Sequence, residues 1–262
     1  MLFLKTFSIS LLADSVGFKK FSYFISLGYG LSVAAIGLFL LIIQKNLKLG
    51  ELLLGILYIL YGLRLGIFLL IRDLKNSNYN QKMSEERKNI KNVSFIGKIM
   101  IWVSCALLYT CQTSPFTFRI ISLKKDDIII YIGIIISFIG FLLEAIADNQ
   151  KNSAKKINPN RFVDSGLYRI VRCPNYLGEI LFWTGNFISG TSIYNGYVQW
   201  GIAIFGYFCI IYVMLGGTRK LEIRQNNSYG KDIEYQNYIE STPILFPFIP
   251  LYSVEKCKWL KG

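Results

Sequence analysis

The stretch from Ile128 to Ala147 reads IIIYIGIIISFIGFLLEAIA, and Glu144 is its only charged residue. A helix of about 20 mostly apolar residues spans the hydrocarbon core of a bilayer. Four more stretches of this kind occur in the chain: Phe21–Ile43, Leu52–Ile71, Val93–Tyr109 and Trp200–Gly216. The chain is 53% hydrophobic and has a mean hydropathy of +0.40, which is too apolar for an ordinary soluble domain. These runs predict a multi-pass integral membrane protein.

Two shorter segments leave the number of helices open. Asn175–Ser189 opens with polar residues, and Leu2–Phe18 is interrupted by Lys5 and Asp14. We therefore expect an all-α fold, a polytopic transmembrane bundle of six to seven helices, in which residues 1–262 form a single integral membrane domain.

The basic residues lie mostly between the apolar runs and predict the orientation of the chain. Seven fall within Arg72–Lys98 and six within Lys151–Arg172, whereas Gly190–Gln199 carries no charge. Because basic loops stay on the cytoplasmic side, we expect the first two segments inside and the third outside. The amphipathic C-terminal tail, from Arg219 onward, is then cytoplasmic. Topology accounts for the net charge of +13, so we expect membrane lipid and no nucleic acid as a partner.

The composition also limits the chemistry. The chain has no His, which removes the Ser-His type of triad and most zinc sites. None of its five Cys residues forms a CxxC pair, so no metal site is expected.

Four acidic or amide side chains enter the apolar helices. Glu144 and Asp148 are four residues apart, as are Asn175 and Glu179, so each pair shares one face of a helix. Polar groups at such depth are costly and tend to be functional. Two structural alternatives stay open: Asp148 caps its helix or faces lipid headgroups, and Glu179 forms an ion pair with Arg64 or with a loop arginine.

Pro174 predicts the start of the helix that carries Asn175 and Glu179. The free N–H groups at a helix N-terminus suit a phosphate. Nearby cations would surround that point, unless they serve only as topology signals: Lys155, Lys156, Arg169 and Arg172. Together these features predict a cytoplasm-facing site for an anionic ligand such as a nucleotide.

The tail carries Arg224 and then Tyr235 and Tyr238, which lie three residues apart on one helical face. Two interpretations are equally supported: a lid whose tyrosines cover the nucleotide, or an interfacial helix anchored by its aromatic residues.

The segment GLYRIVRCPNYLGE, Gly166–Glu179, resembles the C-terminal signature of the steroid 5-alpha-reductase-like family, and is closest to its bacterial branch of membrane proteins. The tail is also similar, in Leu221-Glu222, Tyr229-Gly230, Glu234–Tyr238 and Leu245–Pro250. The resemblance implies seven helices and an NADPH site within 128–250, with 1–112 as the substrate side. It implies that cofactor contacts come from Asn175, Glu179, Asp148 and Lys155, with Glu144 at a position where the steroid enzymes use an amide. The helix start and the tail add the remaining expected cofactor-binding residues: Arg169, Arg172, Arg224, Tyr235 and Tyr238.

Tyr61-x-x-Arg64 is similar to an element of the same family in which the tyrosine protonates the substrate. The resemblance therefore implies that Tyr61 is the catalytic proton donor in the reduction of a carbon–carbon double bond. The expected substrate is a small lipidic molecule of steroid-like, prenyl or enoyl type.

The chain departs from this family at one position. The steroid enzymes pair that tyrosine with a glutamate on the preceding helix, yet Phe21–Ile43 contains no acid. Glu51 lies ten residues from Tyr61 on the same helix, about 15 Å away. Two other classes stay open: an isoprenylcysteine-type methyltransferase that uses S-adenosylmethionine, in which Cys173 stands where that class has His, and a non-catalytic lipid-binding protein.

Overall fold

The computed structural model describes residues 1–75 and 94–260, and all regular structure in those residues is helical. We number the α-helices of the described residues in chain order: α1 Leu2–Asp14, α2 Leu27–Ile43, α3 Leu49–Lys75, α4 Phe95–Gln112, α5 Ser114–Ser122, α6 Ile128–Ile157, α7 Pro174–Gly190, α8 Gly196–Tyr229 and α9 Ile233–Ser241. Short 3-10 helices cover Ser15–Phe18, Phe21–Phe24 and Gly166–Arg169. The predicted all-α class is confirmed.

Five helical segments in the described chain are long and apolar enough to cross a membrane: Phe21–Ile43, Leu49–Ile71, Phe95–Gln112, Ile128–Ile157 and Gly196–Tyr229. They coincide with the five apolar runs of the sequence. The other two candidates form shorter helices, α1 with 13 residues and α7 with 17. The chain is thus a multi-pass helical protein, while the number of six to seven spanning helices stays a prediction.

Large apolar side chains point outward along these five segments. Examples from successive segments are Ile42, Ile67, Met100, Ile135 and Phe208, each more than half exposed. A water-soluble protein rarely leaves so much apolar surface uncovered, whereas lipid tails match it. The outward surface therefore agrees with a bilayer as the solvent of these helices.

Three features differ from the prediction. The α-helical part of the first long span begins at Leu27, because Phe21–Phe24 forms a 3-10 turn. The last span continues as α8 well beyond Gly216, to Tyr229. A further helix, α5, occupies a segment for which the sequence predicted none.

Most of the basic residues predicted for the loop Arg72–Lys98 lie outside the described residues.

The sequence pattern did not predict helix α5, because this helix is short and contains several polar residues. In the structure it is nonetheless buried. Pro115 stands in its first turn, and Ser114–Ile120 is buried throughout. The guanidinium of Arg119 donates to the carbonyl of Ser189 at 2.8 Å and to Ser192 Oγ at 3.0 Å. It also lies 3.6 Å from Asp127. These contacts pair the buried charge of Arg119, although a hydropathy pattern indicates a loop for such a polar segment.

The described chain forms two compact units. Unit 1 comprises Met1–Ile134 with Phe187–Gly206, and unit 2 comprises Ile135–Asn186 with the chain from Tyr207 onward. Within unit 1, helices α2 and α3 meet through glycines: a methyl group on Gly62 would lie 2.3 Å from the carbonyl oxygen of Gly30. This close backbone approach fixes the helix that carries Tyr61.

Candidate functional site

Helices α6 and α7 touch backbone to backbone in unit 2. A methyl group on Gly178 would lie 2.6 Å from the backbone nitrogen of Glu144 and 2.8 Å from the carbonyl oxygen of Gly140. Ser137 adds a hydrogen bond from its hydroxyl to the carbonyl of Phe182 at 2.8 Å. The crossing therefore brings the acidic end of α6 against the first turns of α7.

Three carboxyl groups are buried in these two helices. Glu144 is 3% exposed, Asp148 6% and Glu179 8%. Desolvation of a carboxylate is costly, so acids at such positions are retained for interactions that need them. The two predicted pairs, Glu144 with Asp148 and Asn175 with Glu179, lie on α6 and α7 as expected.

Helix α7 begins at Pro174, as the sequence predicted. Asn175 stands in its first turn, and its Oδ1 is buried without a hydrogen-bond partner among the described residues. A buried amide oxygen of this kind is costly unless a ligand or water donates to it. Asn175 thus offers an acceptor at the helix start.

Arg172 lies just before this start and is 2% exposed. Its Nη2 is 3.1 Å from Glu222 Oε1 and donates to the carbonyl of Tyr252. Its Nε and Nη1 groups are buried and have no hydrogen-bond partner within the described chain. Arg172 therefore anchors the fold with one end of the guanidinium. The Tyr235 hydroxyl lies near the same guanidinium: burial raises the pKa of Tyr235 to about 12, and the charge of Arg172 acts to lower it.

The C-terminal tail is hydrogen-bonded to the start of α7. The backbone N–H groups of Arg172 and Cys173 donate to the carbonyls of Pro243 and Ile244, at 2.9 and 3.0 Å. Glu222 Oε2 accepts the backbone N–H of Val254 at 2.9 Å. The start of α7 and the tail are thus a single hydrogen-bonded arrangement.

Lys155 is engaged in loop contacts. Its ammonium donates to the carbonyls of Pro159 and Arg161 and to the hydroxyl of Tyr229, at 3.1 Å for Pro159 and 2.9 Å for Tyr229. These bonds close the loop after α6 onto α8. The structure therefore gives Lys155 a structural role in unit 2.

Tyr235 and Tyr238 pack on Phe162, with ring centroids 5.3 Å away in each case. The hydroxyl of Tyr235 donates to Asn226 Oδ1 at 2.7 Å, and that of Tyr238 donates to the carbonyl of Tyr168 at 2.7 Å. Both phenols hold α9 against the loop after α6. These contacts fix α9 within unit 2, and the two roles predicted for the tyrosines, cofactor lid or interfacial anchor, both stay predictions.

Arg169 and Arg224 are exposed cations in unit 2. Near Arg169, Gly166 has a φ of +62°, and a methyl group there would lie 2.5 Å from Gln150 Oε1. That same oxygen accepts the backbone N–H of Leu167 at 2.9 Å. The glycine is therefore required for the turn that presents Arg169.

An open cleft of about 430 Å³ lies beside this turn. Sequence reasoning missed it, because its polar groups come from a segment without a motif. It is lined in part by Gln150, Ser153, Asn158, Arg161 and Asp164. Arg161 pairs with Asp164 at 2.9 Å and with Glu234 at 2.6 Å.

Cys173 is a poor nucleophile. Burial raises its pKa to about 12, although the nearby charges of Lys151 and Arg172 act to lower it. A neutral, buried thiol neither donates strongly nor attacks. This side chain therefore does not replace the imidazole that the methyltransferase class has at this position.

Tyr61 lies in unit 1 and is fully buried. Its hydroxyl is 3.3 Å from the hydroxyl of Tyr29, and the Tyr29 ring packs 5.1 Å from that of Tyr109. Arg64 stacks on Phe68 at 5.5 Å. The predicted proton donor thus has the phenol of Tyr29 within hydrogen-bonding distance.

A substitution of Gly178 tests the close crossing of α6 and α7. Gly178→Ala is expected to push Glu144 away and to reduce stability by about 1–3 kcal/mol, because the added methyl meets backbone rather than a flexible side chain. Gly217→Ala is the matched control, since its nearest atoms are at 3.6 Å in the Tyr176 ring. Thermal unfolding in detergent should separate the two variants, and equal midpoints would rule out the close crossing.

The fold and site define a multi-pass helical membrane protein whose polar groups converge at the start of one helix. The chain belongs to the family described as "Protein of unknown function (DUF1295)", which matches residues 16–242 and comprises steroid 5-alpha-reductase-like membrane proteins. The resemblance seen in the sequence is therefore confirmed at the level of this family. No curated protein and no solved structure matches the chain.

Proposed function

We propose that the protein is a membrane-embedded, NADPH-dependent reductase of a carbon–carbon double bond in a lipidic substrate. The observation that supports the proposal is a set of three buried polar atoms at the start of α7 that lack a hydrogen-bond partner among the described residues. These are the buried acceptor of Asn175 and the two unpaired donors of Arg172. A ligand that both donates and accepts hydrogen bonds and carries negative charge suits them.

The residues present fit a nicotinamide nucleotide. An amide acceptor pairs with a carboxamide N–H or a ribose hydroxyl, and arginine N–H groups pair with phosphate oxygens. Arg169 and Arg224 add exposed positive charge in the same unit. The buried acids Glu144, Asp148 and Glu179 provide acceptors for further hydroxyl and amide groups.

We assign cofactor binding to the residues at the start of α7 and proton donation to Tyr61. When bound, NADPH would supply the hydride. The phenol of Tyr61 would give its proton to the substrate, and burial keeps water from competing for that proton. We place the cofactor site and the C-terminus on the cytoplasmic side, where the basic segments of the sequence predict them.

Removal of the Tyr61 hydroxyl tests the reaction. Tyr61→Phe is expected to lower turnover by about 10²–10⁴-fold, because the proton donor is lost while the ring still fills its place. Oxidation of NADPH would be followed with a conjugated enone steroid, a prenyl enal and a 2-enoyl thioester as probes. NADPH affinity should not change, since Tyr61 is assigned no cofactor contact.

Tyr58→Phe is the matched control, because Tyr58 is an equally buried tyrosine on the same helix. Full turnover in Tyr61→Phe would remove this residue from the mechanism. Equal losses in both variants would show that the effect comes from packing.

A further inference from the structure

The last described part of the chain returns along α8 after α9. The carbonyl of Glu255 accepts the Nε–H of Arg219 at 2.9 Å, and its carboxylate accepts the side-chain amide of Asn226 at 2.7 Å. Further on, the carbonyl of Trp259 accepts the hydroxyl of Tyr212 at 2.8 Å. The contacts on α8 thus move back from Asn226 to Tyr212, over about 21 Å of helix. The tail therefore runs antiparallel to α8.

We call this part of the tail, Tyr252–Leu260, the return segment, and two buried apolar side chains hold it on the helix. Val254 is 4% exposed and Leu260 is 2% exposed. The Val254 N–H donates to Glu222 Oε2 at 2.9 Å, and the Leu260 carbonyl accepts Nη1 of Arg219 at 3.2 Å. The return segment is therefore fixed near both of its ends, and the residues between them face outward.

The end of the return segment lies where α8 changes from apolar to charged. From Gly196 to Thr218 the helix contains no charged residue, and Arg219 is the first one. A membrane span places its uncharged part in the hydrocarbon and its first charges at the headgroups. Tyr212 lies on the uncharged side of this border and Arg219 on the charged side, and both bond the end of the return segment. That end is therefore at the level of the membrane–water interface.

The outward side chains of the return segment suit this level. Trp259 is 64% exposed, and its ring lies 6.3 Å from the half-exposed ring of Tyr212. Tryptophan and tyrosine are enriched at membrane–water interfaces, because one part of the ring is apolar and another part forms hydrogen bonds. Lys256 and Lys258 are exposed in the same short segment. The segment thus combines an interfacial aromatic pair with cations.

The charge at this border is mostly positive. Glu255 is an exposed acid there, but four basic residues outnumber it: Arg219, Lys220, Lys256 and Lys258. A group of basic residues directly beside a membrane span attracts anionic lipid headgroups. Lipid is also what a tryptophan at the end of a span meets first. Charge and depth therefore favour a lipid surface over a soluble partner.

We propose that the return segment is a binding surface for the anionic headgroups of the leaflet that borders the charged end of α8. In this arrangement Trp259 inserts between the headgroups and the acyl chains, and Lys256 and Lys258 face the phosphates. The surface is independent of the proposed reductase function, and binding to it needs neither NADPH nor a substrate.

Fluorescence quenching in bilayers tests the depth of Trp259. The full-length protein is reconstituted in vesicles of equal parts phosphatidylcholine and phosphatidylglycerol, with brominated phosphatidylcholine as the quencher. The chain has four tryptophans, so the difference between wild type and Trp259→Phe isolates the emission of Trp259. Bromine near the headgroup end of the acyl chain should quench this emission more strongly than bromine near the chain end.

A second measurement compares brominated phosphatidylglycerol with brominated phosphatidylcholine as quenchers of Trp259. Wild type should prefer the anionic lipid, and high salt should weaken this preference. Lys256→Gln combined with Lys258→Gln should lower the preference by at least about 5-fold, the usual effect of one basic residue near an anionic surface. Lys231→Gln is the matched control, because Lys231 is an exposed lysine between α8 and α9. It should keep the wild-type preference.

Three results would overturn the inference. If no brominated lipid quenches Trp259, this residue faces water or a protein partner. If both lipids quench it equally in wild type, the surface does not select anionic headgroups. If Lys231→Gln loses as much preference as the double variant, overall charge attracts the lipid and the return segment is not its binding surface.

Discussion

Glu222→Ala is expected to lower the free energy of unfolding by about 3–5 kcal/mol, the usual cost of breaking a buried ion pair from one side. Arg172 and Glu222 are 2% and 3% exposed and lie 3.1 Å apart. Removal of the carboxylate leaves a buried guanidinium uncompensated and takes the acceptor from the Val254 N–H. The tail around Val254 should then be held less tightly, while the backbone hydrogen bonds from Arg172 and Cys173 to Pro243 and Ile244 remain.

Unfolding of detergent-solubilised protein, followed by tryptophan fluorescence, measures this loss. The double variant Arg172→Met with Glu222→Leu is the matched control, because it removes both charges and restores apolar packing. We expect the double variant to recover the part of the loss that comes from the unpaired charge, while the Val254 N–H and the Tyr252 carbonyl stay without their partners. It should not recover NADPH binding, since the N–H groups of Arg172 are lost as well. A double variant as unstable as the single one would contradict the assignment of the loss to an unpaired charge.

Glu179→Ala is expected to weaken NADPH binding by about 10- to 100-fold, which corresponds to the about 1.5–3 kcal/mol of a hydrogen bond to a charged group. Glu179 lies one turn beyond Asn175, whose open acceptor marks the site. The variant should keep its helical content, because Glu179 lies inside α7 and alanine is the best helix former. Nicotinamide fluorescence of bound NADPH provides the measurement.

Glu240→Ala is the control for this loss, because Glu240 is an exposed acid on α9. It should bind NADPH like wild type. Wild-type affinity in Glu179→Ala would show instead that Glu179 serves only the fold.

Much of the architecture was predictable because the bilayer imposes a simple rule on sequence. Runs such as Ile128–Ala147 have one explanation in terms of length and hydropathy, and each became a helix. Pro174 gave the start of α7 for an equally local reason, its fixed φ and missing N–H. The buried polar helix α5 was missed, since its stability depends on Ser189, Ser192 and Asp127, which are distant in sequence.

The candidate site was predictable in its residues but not in how they are used. The interval of four in Asn175 and Glu179 placed both on α7, as any helix would. No local pattern revealed that Arg172 pairs with Glu222, 50 residues on, or that Lys155 is held by Tyr229. Such partners are set by tertiary packing, so a sequence counts cations without showing which of them are already engaged.

The resting environment of Tyr61 was likewise beyond the pattern. The sequence shows that the helix before Tyr61 lacks an acid. It does not show that the Tyr29 hydroxyl lies 3.3 Å from the Tyr61 hydroxyl, because that distance depends on how closely Gly30 and Gly62 allow α2 and α3 to approach. Asp14 was noted only as an interruption of an apolar run. Its burial follows from the inward polar face of α1, which a hydropathy average hides.

Calorimetric titration of the detergent-solubilised wild-type protein with NADPH, and separately with S-adenosylmethionine, tests the central claim most directly. The donors of Arg172 and the acceptor of Asn175 predict saturable binding of NADPH at one site per chain, with heat lost in Glu179→Ala. They predict no binding of S-adenosylmethionine, which carries no phosphate for the arginines. Binding of S-adenosylmethionine without binding of NADPH would contradict the reductase account.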